Sequence, residues 1–226
     1  MKNSIYGKIL ITIIATTLLL EIFSTSGIAQ RGSVVLPEKQ PSSSSEFEQK
    51  RIIVLTGTIN DDVANEIISR LFYLDSVDSR KDIYLYIDSP GGSFFAGLAI
   101  YEIMQELKSD VVTVNVSLAA STASFLLAAG TKGKRFSLHQ ARVMIHQLYA
   151  NPKIRITELE MRELARITKL CNEILARNTG QSVAQIETDT KTDFWMSADE
   201  AKRYGMIDFV IDDVAQIQSF LKIKTK

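Results

Sequence analysis

Past residue 50 the apolar positions switch repeatedly between two periods. Residues 52–55 are a short apolar run closed by Thr56 and Gly57, which predicts a strand. Asn60 then stands as an N-cap before Val63, Ile67, Leu71 and Leu74, whose helical spacing predicts a helix. The alternation repeats. Residues 83–87 predict a buried strand, Ser89-Pro90-Gly91-Gly92 a turn, and residues 95–107 a helix turning Leu98, Tyr101, Ile103 and Met104 inward. Residues 111–116 predict a third strand, and 119–129 a helix of mostly small residues that Gly130 ends in a left-handed turn. Residues 136–138 and 143–145 predict short strands around a turn. Thr157 and Glu160 form a capping box that opens the longest helix, lined by Leu164, Ile167, Cys171, Ile174 and Leu175 and ended by Gly180. Residues 197–204, stopped by Gly205, predict a last short helix, and 206–211 a closing strand. Strands alternating with helices place the chain in the α/β class.

The N-terminus follows different rules. Lys2 and Lys8 flank the start of a charge-free apolar stretch, residues 9–20, followed by Glu21 and small residues. Gly27 and Ala29 sit at the minus-three and minus-one positions of a cut before Gln30, so residues 1–29 read as a secretory signal or hydrophobic leader. A spanning helix would want roughly 20 apolar residues, and Glu21 interrupts the run too early. A retained anchor and a propeptide without export value are the alternatives. Residues 30–50, with Pro41 and the serines from Ser42 to Ser45, hold too little apolar surface to offset ordering entropy and read as a solvated mobile arm. The folded domain is expected over 51–226. If the leader is a true signal, the protein is exported or membrane-associated.

Composition narrows the chemistry. The 226 residues are 46% hydrophobic and 23% charged, with 26 Lys+Arg against 26 Asp+Glu. Without a basic excess to displace phosphate counterions, nucleic acid is excluded as an expected partner. One cysteine, Cys171, cannot form an internal disulfide, and two histidines, His139 and His146, do not with it make a structural zinc site, so neither metal nor cofactor is expected. Cys171 reads as a core residue on the long helix.

Three positions could carry chemistry. Ser121 follows a strand in the first turn of a small-residue helix, where a helix dipole and free N–H groups can stabilise an oxyanion. It is either a nucleophile or one of several small residues that let the helix pack closely. His146 is polar at the end of the apolar run Val143-Met144-Ile145, as a structural histidine or as the general base a serine needs. His139 sits in a turn and reads as a surface residue. Asp193, in a polar segment before Trp195, either solvates a loop or orients an imidazole. Gly91-Gly92 after Pro90 lets backbone approach a substrate and aim an N–H at developing negative charge.

Together these residues resemble the proteolytic subunit of the Clp protease, ClpP, over roughly residues 51–211. The resemblance runs through Ile59-Asn60-Asp61, Ser89-Pro90-Gly91-Gly92-Ser93, Ala119-Ala120-Ser121, Lys132-Gly133-Lys134-Arg135-Phe136, Arg142-Val143-Met144-Ile145-His146-Gln147, Thr179-Gly180-Gln181 and Met196-Ser197-Ala198. It implies a crotonase-like fold of repeated strand-strand-helix units with a long projecting helix. It also implies Ser121 as nucleophile, His146 as base, Asp193 as orienting acid, and an oxyanion hole from the backbone N–H groups of Gly92 and Thr122. It further implies two stacked heptameric rings, homomeric or mixed, around peptide and unfolded-protein substrates. An AAA+ Clp unfoldase would use the ATP, and the family's ordinary location is cytoplasmic. The chain departs from the family pattern at Ser117-Leu118, at Thr122-Ala123, in the serine-rich arm, and at Leu148-Tyr149-Ala150-Asn151-Pro152-Lys153, a segment apparently two residues shorter. Two other readings are a ring-assembly subunit with weak or no catalysis and a signal-peptide-peptidase-like Ser-Lys hydrolase.

Overall fold

A parallel sheet flanked by helices forms from β1 (Ile52–Ile59), α1 (Asp61–Val77), β2 (Ile83–Gly92), α2 (Phe94–Glu106), β3 (Val111–Ala120), α3 (Thr122–Ala128), β4 (Arg135–Leu138), β5 (Arg142–Ile145), α4 (Glu158–Thr179), α5 (Val183–Asp189), β6 (Phe194–Ser197), α6 (Ala198–Tyr204), β7 (Phe209–Ile211) and α7 (Ile217–Ile223). The computed structural model describes residues 47, 49–148 and 157–223, all within one unit, Ser43–Lys226. The expected leader, nearly all of the polar arm, and Tyr149-Ala150-Asn151-Pro152-Lys153 lie outside the described residues. Among the described residues no helix is long and apolar enough to cross a membrane.

The expected α/β class is what forms. Strands run β1-β2-β3-β4-β7, all parallel, and β3 is long enough to serve two partners. Its Thr113–Asn115 stretch pairs with β4, while Leu118, Ala119 and Ala120 pair with β5, which in turn pairs antiparallel with β6. Alternation in β2 shows why the sheet is two-sided. Ile83, Leu85 and Ile87 enter the main core with Leu71, Ile100, Phe125 and Leu126 from the helices, whereas Tyr84 and Tyr86 face the opposite side. There Val112, Val114 and Phe136 pack with Ile217 and Phe220 of α7.

The local signals act as expected where they are self-contained. The Asn60 side chain accepts a hydrogen bond from Val63 N at 2.9 Å, and Thr157 and Glu160 form a reciprocal capping box. Tertiary pairing overrides others. Ala119 and Ala120, expected in a helix, continue β3, because Ala119 pairs with Ser89 on one side and Val143 on the other. The expected Ser89–Gly92 turn is likewise the end of β2, where Gly91 and Gly92 pair with Thr58 and Ile59. Gly130 does not take the expected left-handed conformation. A Cβ there would strike the Thr113 side chain, so close approach explains the glycine. Helices α5 and α7 and strand β6 were not expected, and the closing strand starts at Phe209, after Met206 and Ile207 bury themselves in the core.

One buried ion pair ties these layers together. Arg135 is 1% exposed, and its Nε and Nη2 donate to the two Asp208 carboxylate oxygens at 2.9 Å each. Its Nη1 donates to Asn178 O near the end of α4 and Ala128 O at the end of α3. Burial alone would raise the Asp208 pKa, but the guanidinium and the N–H groups of Arg135 and Gly133 outweigh it and hold the carboxyl below its usual range. Asp208→Ala is expected to cost about 3–5 kcal/mol, because it strands a buried cation. With the folded pKa depressed, this stabilisation is present above the unfolded carboxylate value and is lost as pH falls through the folded one. Urea unfolding at neutral pH and below about pH 4 checks both points, with the gap between variant and wild type narrowing in acid.

Candidate active site

Ser121 stands at the junction of β3 and α3, one residue past the paired strand, not in the first turn of the helix as expected. Its backbone has φ 55 and ψ −125, a conformation that an L residue reaches only under constraint and at a cost of order 1–3 kcal/mol. Three contacts impose it. Ser121 N donates to Met144 O at 2.9 Å, Ser124 Oγ donates to Ser121 O at 2.7 Å, and Phe125 N donates to the same carbonyl at 3.2 Å. As N-cap residue, Ser121 makes no side-chain cap bond. Its hydroxyl is directed elsewhere: Oγ lies 2.7 Å from His146 Nε2.

Strand register brings the two residues close. Ala120 sits opposite Met144 in the β3–β5 ladder, so Ser121, the residue after β3, and His146, the residue after β5, stand one register position apart at adjacent strand ends. Gln147 N then donates to Thr190 O at 2.8 Å, which fixes the chain after the histidine. Asp193 arrives by the second ladder. Ile145 pairs with Phe194, so the antiparallel register sets His146 opposite Asp193. His146 Nδ1 lies 3.8 Å from Asp193 Oδ1, longer than a direct hydrogen bond, and the carboxylate side chain is 56% exposed. Ser121 and His146 are thus in bonding contact, with Asp193 in ion-pair range.

Gly91 and Gly92 close the other side. Both have positive φ, 93 and 152, and a Cβ on Gly91 would meet Ala120 O, Ser121 Cβ and Thr122 N within 2.6–2.9 Å. Only glycine permits this approach. Ser93 N donates to Ile59 O at 2.8 Å, which leaves the peptide groups of Gly92 turned away from β1 and toward Ser121. A cleft of about 300 Å³ opens here, walled by Phe94, Phe95, Leu148, Leu164 and Ile167 around Ser121 and His146. A larger cavity of about 690 Å³ elsewhere contains neither Ser121 nor His146 and is lined by ions such as Lys134, which is paired with Asp82 and Asp110.

An alcohol hydrogen-bonded to an imidazole, beside backbone donors and an apolar cleft, is equipped for nucleophilic attack on a carbonyl. Residues 38–214 match the profile of the Clp protease family. The chain belongs to that family. It is 47% identical over 193 residues to ATP-dependent Clp protease proteolytic subunit 2 of Prochlorococcus marinus (strain NATL2A), covering 80% of this chain and 96% of the relative. It is also 47% identical over 191 residues to ATP-dependent Clp protease proteolytic subunit 3 of Synechococcus sp. (strain CC9605), with the same two coverages.

In this Clp protease family member His139 is exposed at the end of β4, away from the cleft. Sequence reasoning missed the hydroxyls of Ser124 and Thr122, which hold the backbone around the serine; nothing in a run of small residues marks them beforehand. Cys171 is buried in α4 beside a small cavity that also touches Ser121 and His146, and burial pushes its thiol up to about 12. Iodoacetamide at pH 8 is therefore expected to leave Cys171 unmodified in the native protein and to alkylate it fully in denaturant, as read by intact mass.

Proposed function

We propose that this chain is a serine peptidase working through an acyl-enzyme, and the observation that carries the reading is the 2.7 Å contact between Ser121 Oγ and His146 Nε2 at a strained strand end. His146 Nε2 takes the hydroxyl proton as Oγ attacks the substrate carbonyl. The carbonyl oxygen becomes an oxyanion, which the backbone N–H groups of Gly92 and Thr122 receive. The imidazolium then protonates the leaving amine as the C–N bond breaks. Water, deprotonated by the same nitrogen, hydrolyses the ester and frees the serine. Asp193, in ion-pair range at 3.8 Å, keeps the proton on Nδ1 and stabilises the imidazolium. The walls of the cleft suit an apolar side chain next to the cut bond.

The family and its relatives' names support a place as a proteolytic subunit of a Clp protease, and the assembly we propose for it is two heptameric rings, homomeric or mixed. Unfolded chains would enter with the help of an AAA+ ATPase that consumes the ATP. Large exposed apolar side chains, among them Phe72, Tyr73 and Val77 on α1 and Leu159 and Met161 on α4, fit surfaces that assembly covers. A ring-assembly subunit of weak activity is the second reading, favoured by the long Asp193 contact.

A fluorophosphonate probe is expected to label Ser121, and Ser121→Ala to abolish both labelling and cleavage of a small fluorogenic peptide. His146→Ala should lower kcat by roughly 10⁴-fold or more. Rings that form but neither label nor cleave would establish the assembly reading instead.

Export is proposed separately, from the basic start, apolar stretch and small residues before Gln30. N-terminal sequencing of the protein from its source should begin near Gln30. An intact Met1 in a soluble cytoplasmic fraction would overturn export in favour of the cytoplasmic alternative.

A further inference from the structure

We infer that the Thr122 side chain is a positioning residue: its hydroxyl clasps the Gly92 carbonyl and so fixes the relative placement of the two backbone N–H groups beside Ser121. The inference rests on the hydrolytic role proposed for Ser121.

Both ends of this side chain are engaged. Thr122 is 4% exposed, and its Oγ1 donates to Gly92 O at 3.1 Å. Its Cγ2 methyl lies over Gly97 in α2, where a Cβ on Gly97 would collide with it. A β-branched residue has few χ1 choices to begin with, and here the methyl contact and the hydroxyl bond select one. Thr122 therefore bridges the first residue of α3 to the end of β2.

That bridge matters because Gly91-Gly92 is the most permissive stretch of backbone around the cleft. Gly91 N donates to Ser89 Oγ at 3.0 Å and Ser93 N to Ile59 O at 2.8 Å, so both neighbours of Gly92 are held. Gly92 has no side chain to restrict it, and its carbonyl shares one peptide plane with Ser93 N–H, so Thr122 Oγ1 and Ile59 O grip that plane from its two sides. Donors stabilise developing charge only if they are aimed before the reaction starts. A threonine that ties Gly92 to its own backbone presets the spacing of the pair. Loss of the tie falls on the transition state, so kcat drops while KM stays.

The test uses the full chain with Thr122→Val, which keeps the branch against Gly97 but removes the hydroxyl, and Thr122→Ser, which keeps the hydroxyl. With a small fluorogenic peptide, Thr122→Val is expected to lower kcat about 10-fold with KM within about 2-fold, the size of one lost hydrogen bond. A peptide boronate, which forms a tetrahedral adduct on serine, should lose affinity by the same factor, while the product peptide acid should not. Thr122→Ser should recover kcat to within about 3-fold of wild type. An unchanged kcat in Thr122→Val, or an equal fall in Thr122→Ser, overturns the clasp alone. Failure of wild type to take the fluorophosphonate or cleave peptide overturns the hydrolase reading, and the clasp with it. If the valine variant does not fold, Thr122→Ala carries the same expectations.

Discussion

Strand β5 has only four residues, yet the site depends on its two simultaneous pairings. One edge runs parallel to the end of β3 and the other antiparallel to β6, with Met144 opposite Ala120 and Ile145 opposite Phe194. Those two registers place the residue after β3, the residue after β5 and the residue before β6 at a single point. A slip of one position in either ladder would turn a side chain to the opposite face of the sheet. Precision at the cleft is thus inherited from backbone hydrogen bonding in the sheet, which is far stiffer than a loop.

What holds β3 itself in place lies at the other end of the sheet. Arg51, just before β1, has its guanidinium donating to Leu74 O, Asp82 O, Lys81 O and Ser109 Oγ, so it closes the end of α1 onto the start of β2. Arg135 does the corresponding work for α3, α4 and the segment entering β7. Arg135 satisfies carbonyls at the ends of α3 and α4, where helices leave such groups without an intrahelical partner, and Arg51 adds a second donor to Leu74 O, which Asp78 N also reaches.

Much of the fold could be read from the chain because many of its instructions are local. Asn60 with Val63, Thr157 with Glu160, and Gly180 each specify an end within a few residues. Ala119 and Ala120 specify nothing alone; they are strand because Ser89 and Val143 lie beside them. Helix α5 was hidden since Ile186 is its one buried residue, too sparse a pattern to show a period. At the site, the types serine, histidine and aspartate were visible, and the resemblance to a known family selected them. Their distances were not, because the ladders that set them join residues as far apart as Ala120 and Met144.

Cys171 shows how the cleft is insulated from its surroundings. It is the sole sulfhydryl in the chain, on the buried face of α4, where burial holds its proton firmly. It has no intramolecular partner to oxidise with, and too little thiolate to react with peroxide or glutathione. The single thiol beside Ser121 is consequently a poor target for oxidation, whatever the redox poise of its surroundings.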